Sequence, residues 1–152
     1  MATTGWLSIR VELVSGVGEP VDPPPGRDFL ASEEHSLFEL AVAIDTYFAR
    51  WDRGHLHLFR FSGDSEYVLG GKEEGDEDTD TMSVTIGDLD LSAGTEFDYV
   101  FDLGDEWLHR CRVLAANVDP EEEFGDVPPA PVPLFGWGTI PDQYGRTTPD
   151  DD

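Results

Sequence analysis

The chain has 152 residues, enough for one domain and one core, and with 39% apolar and 11% aromatic residues it is a folding sequence rather than a disordered one. Nine Lys and Arg stand against 33 Asp and Glu, for a formal net charge of −24. That balance opposes the phosphate neutralisation on which direct nucleic-acid binding rests, and it opposes docking on an anionic membrane.

No apolar run is long enough to span a bilayer, and the N-terminus reads as no secretion signal. A lone cysteine, Cys111, allows no internal disulfide, so a cytoplasmic location is expected. Leu7, Ile9, Val11 and Leu13 alternate with Ser8, Arg10 and Glu12, the period of a half-buried strand. From Ser15 to Glu34 glycine, proline and acid dissolve the pattern into a long irregular connection, with a short extended piece at Phe29 to Ala31. "SLFELAVAIDTYFARWDRG" then predicts the main helix. Ser36 and Glu39 have the spacing of a capping box, Leu37, Leu40, Ala41, Ile44, Tyr47, Phe48 and Trp51 make one apolar face, and Gly54 is placed to end it.

"HLHLFRF", the turn "SGDS" and "EYVL" read as a hairpin. An acidic solvated loop, "GGKEEGDEDTDT", follows, and "MSVTIGDLDL" holds one more short strand or a helical turn. A second hairpin runs through "FDYVFDLGDEWLHRC". Phe97, Tyr99 and Phe101 share a face, as do Trp107, His109, Cys111 and Val113. A three-residue loop sets Phe101 opposite Trp107 and Asp98 opposite Arg110, pairing aromatic with aromatic and acid with base, and is preferred to the alternative, a loop of two or four residues that would swap the faces. Past Asn117 the chain is Pro-rich, so no regular strand is expected there, although Phe135, Trp137, Ile140 and Tyr144 should lie across the domain. The expected fold is α+β: one main helix on an antiparallel sheet of about five strands, with long irregular acidic and Pro-rich loops. It should form one domain over residues 1–146, with 147–152 a frayed acidic tail.

"ELAVAIDTYFARWDRGHLHLFRF", "FDYVFDLGDEWLHRC" and "GWGTIPDQYGR", in that order, resemble the plasmid pRiA4b ORF-3-like family over roughly Arg27 to Arg146. The family's members occur on plasmids and as insertion-sequence passengers, some under a resolvase-like label. The resemblance implies a small α+β domain and no particular reaction. The resolvase label does not suit this chain, whose serines have no arginine cluster near them.

Two strands carry the chemistry. His55 and His57 share one face of "HLHLF", and His109 and Cys111 share one face of "HRC". If those strands were neighbours, the four side chains could form a tetrahedral site, for which zinc is the fitting cofactor. The plainer alternative is a core face, since Phe59, Phe61 and Trp107 lie on the same sides. His55, His57, Asp102, Asp105, Trp107, His109, Asp142 and Arg146 are the candidate lining of a polar pocket. The leading reading is a binding or interaction module for a protein or small molecule. The rival is a metal-dependent hydrolase using the same residues, and a third reading is an acidic decoy for a DNA-binding partner.

Overall fold

Strand alternation runs well beyond the segments in which it is visible by eye. The computed structural model describes residues 5–16, 18–48, 57–61, 65–68, 79–101 and 106–138. In chain order its elements are β1 (Trp6–Gly16), β2 (Glu19–Pro20), β3 (Gly26–Ser32), α1 (Leu37–Tyr47), β4 (His57–Phe61), β5 (Ser65–Val68), β6 (Glu96–Phe101), β7 (Trp107–Ala116), α2 (Pro120–Phe124) and β8 (Val132–Trp137). The strands form one sheet in the order β5-β4-β6-β7-β1-β3-β8, with β2 paired beside β1. Neighbouring strands are antiparallel throughout.

The α+β expectation with about five strands is therefore corrected. Eight strands against one helix of 11 residues and one of 5 make the fold sheet-dominated. β2 and β8 are unexpected, and of β3 only the piece from Phe29 to Ala31 is expected. β3 hides inside the Gly- and Pro-rich stretch, and both its faces are largely buried, so it shows no polar alternation. β8 contains Pro133, but it is an edge strand, where the missing ladder donor is tolerated. The "MSVTIGDLDL" segment resolves as a short 3-10 turn at Ile86–Leu89, capped by Thr85.

α1 starts as its capping box dictates. Ser36 Oγ accepts from the Glu39 amide at 3.0 Å, and Glu39 Oε1 accepts from the Ser36 amide at 3.0 Å. Ser36→Ala should cost about 1 kcal/mol in urea unfolding; wild-type stability in that variant would show the cap to be dispensable. The predicted end at Gly54 lies outside the described residues. Leu37, Leu40, Ala41, Ile44 and Phe48 close over the inner face of the sheet. That face supplies Leu7, Ile9, Val11, Leu13, Phe29, Phe59, Phe97, Tyr99, Phe101 and Val113, each no more than 3% exposed.

The β6–β7 register is the expected one, with Phe101 opposite Trp107 and Asp98 opposite Arg110. On the outer face, Glu66, Arg60, Asp98, Arg110 and Glu12 follow one another across five strands, and Glu96, Arg112, Arg10 and Asp28 make a parallel row. Arg110 pairs with Asp98 at 3.0 Å, Arg60 with Glu66 at 3.2 Å, and Arg10 grips Asp28 through both oxygens at 2.9 and 3.0 Å. Exposed pairs of this kind contribute little individually; the first row alternates in sign, whereas in the second Arg112 and Arg10 stand opposite each other on β7 and β1.

Candidate functional site

On the inner face, β4, β6 and β7 bring three polar groups into an otherwise aromatic row. Phe59, Tyr99 and His109 stand in register, and His57, Phe101 and Trp107 form the next row of the same face. The Tyr99 hydroxyl donates to Asp45 Oδ1 at 2.7 Å, which ties β6 to α1. His57 Nε2 lies 2.9 Å from Thr81 Oγ1. His109 Nδ1 is 3.2 Å from the Tyr99 carbonyl oxygen, and its ring meets Phe48 edge-on at 5.0 Å. Burial pushes the His57 pKa down to about 4, with Asp80 opposing the shift, so the ring is neutral at pH 7.

This arrangement decides the four-ligand expectation as far as its members are described. β4 and β7 are not neighbours, because β6 lies between them. Two strand spacings separate their backbones by about 9–10 Å, and the middle strand's side chain fills the space between them. The ring of Tyr99 stands between, 5.9 Å from His57 and 5.3 Å from His109. Cys111 is fully buried, its thiol pKa raised well above the usual range by that burial, so it is a small apolar core group. Among the described residues, no three His, Cys, Asp or Glu side chains gather as a metal site needs.

The expected polar pocket is likewise placed only in part. His57, Trp107 and His109 share one face but are 5%, 4% and 0% exposed, so they line the core rather than an opening. His55, Asp102, Asp105, Asp142 and Arg146 lie outside the described residues. Asp45, Tyr99 and Thr81 were not candidates from the sequence. Asp45 carried a signal nonetheless, as an acid falling beside Ile44 and Ala41 on the apolar side of an amphipathic helix. The decoy reading needs an array of acid, whereas arginines are interspersed with the acids in both rows of the outer face.

Open space is found elsewhere, at the β8 edge. A hollow of about 400 Å³ is lined by Arg27, Tyr47, Gly138 and the β8 residues from Pro133 to Trp137. Phe135 is 64% exposed and Tyr47 43%, and the Phe135 and Trp137 rings lie 5.9 Å apart. Close backbone approach shapes the floor. Gly136 has no Cβ, and one placed there would strike the Arg27 side chain that crosses it. Gly26 likewise leaves room for the Trp137 ring, on which the Arg10 guanidinium stacks at 4.8 Å. Arg27 Nη1 donates to the Gly26 and Trp137 carbonyls at 2.6 and 2.8 Å, pinning β8 to β3. Its guanidinium lies 5.7 Å from the Phe48 ring, so Phe48 separates the hollow from His109.

Fold and site together define a helix-capped antiparallel sheet with a sealed polar row inside and an open hollow at one edge. The model of the plasmid pRiA4b ORF-3-like protein family matches residues 7–137, and the chain belongs to that family. The match takes in the first strand, which the resemblance had left out, and ends at Trp137. No curated protein is significantly similar to the chain. Among solved structures, the crystal structure of a protein of unknown function, MM3350, from Methanosarcina mazei Go1 is similar with a TM-score of 0.65 at 17% identity, over 91% of this chain and 72% of that one. At that identity the likeness speaks for the fold. No helix among the described residues is long and apolar enough to cross a membrane.

Proposed function

We propose that the chain is a binding module whose contact surface is the hollow at the β8 edge. One observation carries this reading: β8, an edge strand, carries Phe135, 64% exposed, beside Trp137 on its outer face and an open hollow with Arg27 and Tyr47 on its inner side. Exposed aromatics cost solubility and contribute nothing to the core, whereas exposed apolar patches are where ligands bury apolar surface. The hollow, about 400 Å³, is shallow and open to solvent, the form of a contact surface. The polar row supports the same division of labour, since His57, Tyr99 and His109 spend hydrogen bonds on Thr81, Asp45 and the Tyr99 carbonyl and are closed to solvent.

The test is a small-fragment screen by saturation-transfer NMR on the wild type and on Phe135→Ser. Phe135 is exposed, so the variant should keep its stability to within about 0.5 kcal/mol while losing most fragment signals. A screen whose hits survive Phe135→Ser unchanged would move the contact surface away from β8.

A further inference from the structure

The hollow follows the backbone of β8 rather than one of its faces. Residues 133 to 138 border it without a break. Yet the Phe135 and Trp137 rings stand on the outer face with Asp28 and Arg10, while Arg27 and Tyr47 lie on the inner side with Phe48 and Phe29. Consecutive residues with opposite side-chain directions share one hollow only along the edge of their strand. β8 ends the sheet, so every second residue turns an N–H and a C=O away from β3. The opposite edge, β5, is partly taken, because the Thr81 amide donates to the Val68 carbonyl at 3.0 Å. No described residue pairs with the free edge of β8. Pro133 and the register shift beside Phe29 keep the first half of β8 from pairing, but Phe135, Gly136 and Trp137 run in register with Asp28, Arg27 and Gly26.

Resting on the binding-module reading above, we infer that β8 accepts an extended segment of a partner protein as one more strand, with an acidic side chain on its inner face and apolar side chains on its outer face. The two-sided alternation of a strand suits the two sides of this edge. Outward side chains lie beside Phe135, 64% exposed. Inward ones enter the hollow by Tyr47 and Arg27, whose side chain crosses β8 where Gly136 leaves room. Arg27 Nη1 spends its two N–H groups on the Gly26 and Trp137 carbonyls, which leaves those of Nε and Nη2 without a protein acceptor among the described residues. Arg10, Arg60 and Arg110 each hold a carboxylate, whereas Arg27 holds none and no acid is among the described residues lining the hollow. A carboxylate is the group that completes such a guanidinium. A second copy of the chain does not suit the edge. Its β8 has no acid to offer Arg27, and pairing would bring two chains of net charge −24 together.

End-blocked peptides Thr-Val-Glu-Val-Thr, Thr-Val-Gln-Val-Thr and Thr-Val-Lys-Val-Thr vary the partner and leave the protein unchanged. Each would be titrated into labelled wild-type protein at fixed ionic strength. The glutamate peptide should bind with shifts at the Phe135, Gly136 and Trp137 amides, the glutamine peptide roughly fivefold more weakly, and the lysine peptide more weakly still. Glutamine or lysine binding as tightly as glutamate would overturn the acidic partner. Two further glutamate peptides carry N-methyl groups on alternate amides, in opposite phases. An added strand turns one edge to β8, so one phase should abolish binding and the other leave it largely intact. Equal affinity of the two methylated peptides would overturn strand addition. No binding by any peptide, with fragment hits at β8 persisting, would overturn the inference and leave the binding module standing; with the fragment screen silent as well, both fall. Shifts along β8 that grow with protein concentration alone would make a second copy the occupant and overturn the inference.

Discussion

Replacing Tyr99 by alanine should destabilise the protein by about 5 kcal/mol, whereas Tyr99→Phe should cost about 2 kcal/mol. The ring is fully buried, 4.7 Å from Phe59, and flanked by both described imidazoles of the polar row. Removing it leaves a cavity at the point where β4, β6, β7 and α1 converge, and neighbours locked in register cannot collapse into it. Tyr99→Phe keeps the packing and deletes only the donor to Asp45, itself 5% exposed. Whole-domain stabilities of about 5–15 kcal/mol make the alanine variant marginal. Urea unfolding monitored by circular dichroism reads both values. Equal losses in the two variants would place the weight on the hydroxyl instead of the ring.

The second large effect is on pH dependence. The folded-state pKa of His57 is lowered to about 4 by burial, against an unfolded value of about 6.5. Above pH 6.5 the ring is neutral in both states and costs nothing. Between pH 6.5 and 4 the unfolded chain takes up a proton that the folded chain refuses, so stability falls as pH falls through that window. The depression corresponds to about 3 kcal/mol by pH 4. His35 contributes in the same direction, since burial lowers its pKa too. In the other direction, protonating carboxylates relieves self-repulsion in a chain of net charge −24. The informative quantity is therefore the difference between wild type and His57→Gln, whose amide can still bond to Thr81. Between pH 6.5 and 4 the variant should lose about 3 kcal/mol less than the wild type. Parallel stability curves would show that His57 is protonated in the folded state.

Local signals were legible where they rested on a single element. The Ser36–Glu39 pair defines the start of α1, and alternation plus charge matching in "FDYVFDLGDEWLHRC" defines the β6–β7 register down to Asp98 opposite Arg110. β3 was legible only as the piece from Phe29 to Ala31, being buried on both sides, and β8 was not legible, carrying Pro133 at an edge. The order of strands is non-local, and it is what separates His57 from His109: nothing in "HLHLF" or "HRC" says that β6 will lie between them. The hollow was hidden for a related reason. Arg27 bonds to the carbonyl of Trp137, 110 positions away, and the wall of the hollow joins the end of α1 to β8. Gly136 of "GWG" leaves room for the Arg27 side chain, but that arginine lies in a stretch that reads as irregular.

The sharpest division is between the sealed polar row and the open hollow, and one titration reads both. A hit from the fragment screen would be added to isotopically labelled protein, following backbone amides together with the His57 imidazole. The expected result is movement of the Arg27, Tyr47 and Leu134 to Gly138 amides, with the His57 ring and the Thr81 amide unmoved. Shifts concentrated on His57, Thr81 and His109, with the β8 amides silent, would contradict it and return the functional site to the polar row.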